Sequence, residues 1–176
     1  IGDPYLKKVK FHDQRFTHDG KPRNTDFIFN REPYKKAEII VADHNWGIGS
    51  SRESAVYAME SFGIKSVIAA SFGDIHYNNM TKNGLCPVQL SQEACHELRS
   101  QLLKNIGAKI TVDLEELKVI APDGTEYEFN MHPLKRRCLL KGLDDISLTK
   151  QYMDTIKAFE ANHHKSKPFM TVQKPT

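Results

Sequence analysis

Residues 37–72 read AEIIVADHNWGIGSSRESAVYAMESFGIKSVIAASF, and their order decides the fold. Ala37 to Ala42 is a short β-branched run of the kind that forms a buried strand. Trp46-Gly47-Ile48-Gly49 follows as a glycine-rich turn. Ala55, Met59 and Phe62 then recur at spacings of four and three, the period of one helix face, and Gly63 closes the helix. Ile64 to Phe72 is the most strand-like run in the chain. Strand, helix, strand in that order implies a right-handed crossover between two parallel strands.

The alternation continues downstream. Gly73 to Lys82 is expected as a helix and Leu85 to Leu90 as a strand, after which Ser91 caps a helix carrying Ala94, Leu98 and Leu102 on one face. From 108 to 131 the period changes: Ile110-Thr111-Val112, Lys118-Val119-Ile120 and Tyr127-Glu128-Phe129 alternate, with Pro122-Asp123-Gly124-Thr125 as a turn. That pattern predicts an antiparallel hairpin region. Two helical segments close the chain, the second with Leu148, Tyr152, Ile156 and Phe159 on one stripe. Before residue 37, Gly2, Pro4, Gly20, Pro22 and Pro33 break any long element. The expected architecture is one α/β domain over residues 1–162 with a largely parallel central sheet and a C-terminal hairpin and helical extension. A flexible polar tail is expected over 163–176.

Composition narrows the function classes. Hydrophobic residues make up 39% of the 176 and charged residues 27%, ordinary for a globular domain with a core of its own. The 25 basic and 22 acidic residues leave a formal charge of only +3, and Lys7-Lys8-Val9-Lys10 and Lys135-Arg136-Arg137 are short enough to be solvated faces, so no nucleic-acid partner is expected. No apolar run approaches the ~20 residues of a membrane span. The three cysteines, Cys86, Cys95 and Cys138, show no C-x-x-C spacing, which argues against a disulfide scaffold or a self-contained zinc or iron–sulfur site. A reducing, cytoplasmic setting follows, with Cys86 and Cys138 as small core residues. The eight scattered histidines are expected to be surface or structural groups.

The chemistry concentrates in Gly47-Ile48-Gly49-Ser50-Ser51-Arg52-Glu53. Ser50 followed three residues later by Glu53 has the form of a capping box, which would start the helix at Ser50. Helix N-terminal amides, two hydroxyls and a guanidinium would then face one point, a setting that favours anions and carboxylates above all. Taken alone, the segment fits a plain helix cap equally well. It lacks the third glycine of a dinucleotide fingerprint, the Gly-Lys-Ser/Thr of a P-loop and the Gly-x-Ser-x-Gly of a hydrolase.

The run from His44 to Leu90 resembles the swivelling domain of the aconitase superfamily. The hallmarks are the G-x-G-S-S-R-E segment, Ser71-Phe72, Asp74-Ile75, Asn78-Asn79 and Asn83-Gly84-Leu85. Arg137-Cys138-Leu139-Leu140, Gly142-Leu143-Asp144-Asp145-Ile146 and Leu148-Thr149, with Asp26-Phe27 and Asn30, narrow the resemblance to the isopropylmalate dehydratase small-subunit family over about residues 1–162. The resemblance implies a β/β/α swivelling fold and a heterodimer with a large subunit that carries a [4Fe–4S] cluster. This chain would hold no cofactor or metal of its own. The pair would interconvert 2-isopropylmalate and 3-isopropylmalate by dehydration and rehydration in leucine biosynthesis.

By motif match, Ser50 would be the catalytic base, Ser51, Arg52 and Gly49 would bind the hydroxy-dicarboxylate, and Glu53 would cap the helix in support. A related hydro-lyase subunit, homoaconitase or citraconate-type, would use the same residues, and a non-catalytic anion-binding module is the third possibility. Ser54 and Met80 depart from the family, where His and Cys are frequent. The chain opens on Ile1, and Lys10 runs straight into Phe11. A segment that helps choose the substrate is therefore expected to be missing before Ile1 or between Lys10 and Phe11.

Overall fold

The structure, a computed structural model, describes residues 16, 17, 19, 21 and 27–170. The expectations placed on the Lys7–Lys10 cluster, on the Lys10–Phe11 junction and on Asp26 lie outside the described residues.

Three strands form a parallel sheet in the order β1 (Ile39–Val41), β2 (Ser66–Ala69), β3 (Cys86–Gln89). Ile39 lies opposite Ser66, and Ser66 opposite Cys86. All four residues of β2 are buried, as a central parallel strand covered on both faces requires. Helix α1 (Ser54–Phe62) links β1 to β2 and ends at Gly63, whose φ of +100° supplies the left-handed closing residue. Helix α2 (Asp74–Lys82) links β2 to β3. Helix α3 (Gln92–Lys104) follows, and Ser91 caps it as expected, its hydroxyl accepting from the Ala94 amide at 3.2 Å.

Successive residues of a strand point to opposite faces, and β2 shows the consequence. Val67 packs with Val56, Met59, Ile64, Met80 and Leu85 on the α1–α2 side. Ile68 packs with Val88, Cys95, Leu98, Val119 and Phe129 on the other. Val119 and Phe129 belong to the second sheet region, where β4 (Thr111–Asp113), β5 (Lys118–Ile120) and β6 (Glu126–Glu128) run antiparallel in that order. The layers are thus helices, parallel sheet, then antiparallel sheet with α3: a β/β/α arrangement. Full burial of a side chain such as Leu98 or Ile68 contributes ~1.5–3 kcal/mol, so these two clusters hold the layers together.

Several local expectations shift. In α1 the buried face is Val56, Ala58 and Met59, while Ala55 and Phe62 are half-buried, because Met80 and Leu85 fix which side of the helix is covered. Among the cysteines Cys95 is the fully buried one. Cys86 packs against the same cluster, but Cys138 is only half-buried, and its neighbour Leu139 makes the core contact. His76, one of the scattered histidines, is buried.

Residues 1–142 and 143–176 form separate compact units. Helix α4 (Pro133–Lys141) closes the first at Gly142, with φ +60°. The second contains α5 (Asp145–Lys150) and α6 (Met153–Ser166). The single stripe expected from Leu148 to Phe159 is broken at Gln151-Tyr152, where one helix ends and Tyr152 precedes the next. Helix α6 runs through His163 and His164 to Ser166, so the expected tail boundary falls inside it. Phe159 stacks on His163, one helical turn on, with ring centroids 5.5 Å apart. Among the described residues no helix is long and apolar enough to cross a membrane.

Candidate functional site

In open parallel sheets, ligands bind in the crevice outside the carboxyl ends of the strands. The segment from Asn45 to Glu53 leaves the carboxyl end of β1, and the connection Ser71–Gly73 leaves that of β2. The two are tied together. The Asn45 amide donates to Ser71 Oγ at 2.7 Å, the Trp46 amide to the Ser71 carbonyl at 2.9 Å, and the Gly73 amide to the Trp46 carbonyl at 2.9 Å. Trp46 and Phe72 thereby form an isolated parallel bridge beyond the ends of β1 and β2.

Gly47 then turns the chain with φ +82°, a conformation that carries little strain only for glycine. A Cβ there would lie 2.2 Å from His76 Cγ. The Ile48 amide donates to the Asn45 carbonyl at 3.3 Å and the Ser50 amide to the Gly47 carbonyl at 3.4 Å, so Ser50 hangs directly from Gly47. Ser50 is half-buried, while Gly49, Ser51, Arg52 and Glu53 are exposed. The structure therefore brings all five predicted residues into one surface segment.

Their roles differ from the capping-box expectation in one respect. Helix α1 starts at Ser54, and Glu53 takes the N-cap position without a side-chain cap bond. Ser50 Oγ accepts instead from the Arg52 amide, at 3.3 Å, a local serine turn three residues ahead of the cap. Glu53 Oε1 accepts from Asn83 Nδ2 at 2.8 Å, and the same amide donates to the Asn79 carbonyl at 2.8 Å. The tie to α2 replaces the reciprocal serine–glutamate box. The Ala55 and Val56 amides of α1 donate to the Arg52 and Glu53 carbonyls at 3.2 and 2.9 Å, and the helix dipole gives that end partial positive charge just past Ser51 and Arg52.

Two groups that local sequence reasoning passed over stand behind this segment. His76 is 4% exposed, and among the described residues both of its ring nitrogens, like Trp46 Nε1, have no hydrogen-bond partner. Burial lowers the His76 pKa from its ordinary value, so the ring is neutral. Each such orphan group costs ~1–3 kcal/mol, a cost tolerated only where packing offsets it. The available signal was Gly47, since a glycine in a tight turn marks a place where another group approaches closely. Asn83 belongs to the Asn83-Gly84-Leu85 hallmark, but nothing in its spacing pointed to Glu53.

The chain's residues do not fit an iron–sulfur cluster. Such a cluster needs several thiolates converging on one point. Burial pushes the Cys86 thiol up to about 11 and raises that of Cys95, and among the described residues no trio of His, Cys, Asp or Glu is placed to hold a metal. A recess of about 440 Å³ lined by Tyr34, Lys36, Ile39, Leu102 and Lys109, among others, includes no residue of the Gly47–Glu53 segment.

Comparison with known proteins bears on both fold and site. The model of the aconitase C-terminal domain matches residues 2–93, and a second family model, LeuD_N, matches 96–133. Proteins called 3-isopropylmalate dehydratase small subunit from Afipia carboxidovorans and Roseobacter denitrificans are 42% and 45% identical to this chain, each alignment covering 97% of it and 88% of the relative. The chain belongs to the 3-isopropylmalate dehydratase small-subunit family. A crystal structure of 3-isopropylmalate dehydratase from Methanocaldococcus jannaschii, 30% identical, superposes with a TM-score of 0.53 over 70% of each chain. The likeness to this dehydratase family supports the β/β/α architecture read from the layers.

The two departures from the small-subunit family have simple places in the fold. Ser54 is the exposed first residue of α1, and Met80 is fully buried between Val56 and Leu85 in the α1–α2 cluster.

Proposed function

We propose that this chain is the small subunit of an isopropylmalate isomerase. With a large subunit it would interconvert 2-isopropylmalate and 3-isopropylmalate, a hydro-lyase step of leucine biosynthesis in the cytoplasm. One observation carries the reading: relatives named as this small subunit match 97% of the chain at 42–45% identity.

The geometry is compatible with the following roles for its residues. Ser50 is the base. Its Oγ removes the proton from the carbon beside a substrate carboxylate, and the C–H electron pair becomes the second bond of the alkene as the hydroxyl leaves the neighbouring carbon with its bonding pair, as hydroxide. The large subunit's cluster would supply the Lewis acid that accepts it. Rehydration with the opposite orientation yields the isomer, and Ser50 returns its proton to the other carbon. A serine oxygen acts as a base only where its anion is stabilised. The Arg52 amide at 3.3 Å and the nearby positive end of α1 support that stabilisation.

Gly49, Ser51 and Arg52 bind the carboxylates, Arg52 through two parallel hydrogen bonds. Glu53, tied to Asn83, holds the end of the segment against α2. These groups are exposed in the chain alone, as expected of half a site that a large subunit completes. The [4Fe–4S] cluster of the pair belongs on that large subunit, since the three cysteines here do not converge on one point with other ligands among the described residues.

The test is an anaerobic mixture of this chain with a cluster-loaded large subunit, followed by absorbance of the unsaturated intermediate from 3-isopropylmalate. Wild type should be active, and Ser50→Ala should lose about a thousandfold in rate, equivalent to ~4 kcal/mol of transition-state stabilisation. Activity on a related hydroxy acid alone would keep the mechanism and change the substrate. Silence on all such acids in a verified, cluster-intact complex would sink the reading.

A further inference from the structure

We infer that His76 is a positioning residue for the Ser50 segment, a role that rests on the isomerase reading for its catalytic meaning but not for its geometry. An ideal Cβ on Gly47 would fall 2.2 Å from His76 Cγ, 2.4 Å from Cδ2 and 2.6 Å from Cβ. Distances this short mean that the root of the His76 ring, Cγ and Cδ2 together with the Cβ that carries it, lies directly against the Gly47 backbone. One residue further, the Ile48 backbone and side chain would lie 3.3 Å from a Cβ on Gly73, so the turn also rests on the first residues leading into α2. The turn is therefore seated on α2, with His76 as the floor.

The seat reaches the reacting group through the backbone. The Ser50 amide donates to the Gly47 carbonyl, and Ser50 Oγ accepts from the Arg52 amide. A shift of Gly47 into space vacated by the ring carries Ser50 with it. The ring nitrogens have no part in this, since both are buried without a partner among the described residues. The ring acts by shape, as a flat group of fixed thickness. Asn83, on the same helix, pins the far end of the segment through Glu53. Between them the two side chains fix Gly47 and Glu53, and the residues proposed to bind and react lie between those points.

The experiment compares wild type, His76→Ala and His76→Phe as the full chain, free and complexed with the cluster-loaded large subunit. In the complex, His76→Ala should lower kcat by about tenfold to a hundredfold with KM changed less than about threefold, because a displacement of about 1 Å at the reacting atom is enough for such a loss. His76→Phe, which keeps a flat ring and lacks nitrogens, should recover most of that kcat.

In the free chain, amide hydrogen exchange from Ile48 to Arg52 should quicken in His76→Ala and return toward wild type in His76→Phe. This second readout needs no activity, so it tests the floor even if the wild-type complex proves silent and the isomerase reading fails. Unchanged exchange together with wild-type kcat in a folded His76→Ala would overturn the inference. So would a folded His76→Phe no better than alanine, which would place the role in the nitrogens. If His76→Ala does not fold, His76→Met, which fills volume without a flat face, takes its place, and wild-type kcat and exchange in it would be equally fatal.

Discussion

Replacing Gly47 with alanine puts a methyl group where the His76 ring already lies, and the size of the effect follows from two terms. The first is backbone: φ is +82°, and an L side chain in the left-handed region costs ~1–2 kcal/mol. The second is steric. The new Cβ would stand 2.2–2.6 Å from three atoms of His76, two of them in the ring, so the ring or the turn has to move, and overpacking of this kind costs ~1–3 kcal/mol. The sum is ~2–5 kcal/mol, a large part of the ~5–15 kcal/mol that stabilises an ordinary domain. Gly49→Ala is the control, since a Cβ there meets nothing within 4 Å and its φ is not positive. The assay is urea unfolding of the isolated chain, followed by far-ultraviolet circular dichroism. Gly47→Ala should lower the midpoint strongly at unchanged slope, and Gly49→Ala should move it little. Equal midpoints for the two variants would refute the close approach of turn and ring.

Further expectations attach to single groups. Arg52→Lys keeps the charge but loses the planar fork, so KM for the dicarboxylate should rise about tenfold or more with a smaller change in kcat; an unchanged KM would remove Arg52 from the binding set. The His76 pKa is lowered from 6.5 by burial, so between 6.5 and its folded value the unfolded chain binds more protons than the folded one. Stability should therefore be indifferent to this group above pH 6.5 and fall as the pH drops below it, and His76→Phe should lack that part of the slope in a pH series of unfolding curves. Ser91→Ala removes the hydroxyl that accepts from the Ala94 amide and should lower stability by ~1 kcal/mol; no change would show that water caps α3 equally well.

The parallel half of the fold was legible because its signals are local. β-branched runs at Ile39–Val41 and Ser66–Ala69, a glycine closing α1 and a serine capping α3 each fix one boundary with one or two residues. The hairpin region was legible for the same reason, through alternation and the Asp123-Gly124 turn. What could not be read is set by partners distant in sequence. The buried face of α1 depends on Met80 and Leu85, and the anchoring of Glu53 depends on Asn83, thirty residues away. The C-terminal stripe kept a helical period through Tyr152, yet the chain pauses there, because a period alone does not say whether one helix or two carry it.

The start of α1 has the most chemical consequence. Had Ser50 capped the helix in a box with Glu53, its hydroxyl oxygen would accept from the Glu53 amide, and the Glu53 carboxylate would reach back to the Ser50 amide. In both arrangements the hydroxyl oxygen accepts one backbone amide, so the difference lies in where the serine stands: at the helix end in a box, or on the loop ahead of it here. With the helix beginning at Ser54, the Ser50 amide goes to Gly47, the Glu53 carboxylate goes to Asn83, and Ser50 Oγ accepts from the Arg52 amide. The serine is then oriented by one local donor, which is what a base needs as negative charge develops on its oxygen. This three-residue shift of the cap, from Ser50 to Glu53, sets Ser51 and Arg52 on an exposed loop ahead of the helix rather than in its first turn. By giving the cap position to Glu53, this fold leaves Ser50, the proposed base, on the loop ahead of the helix with its oxygen turned to the Arg52 amide.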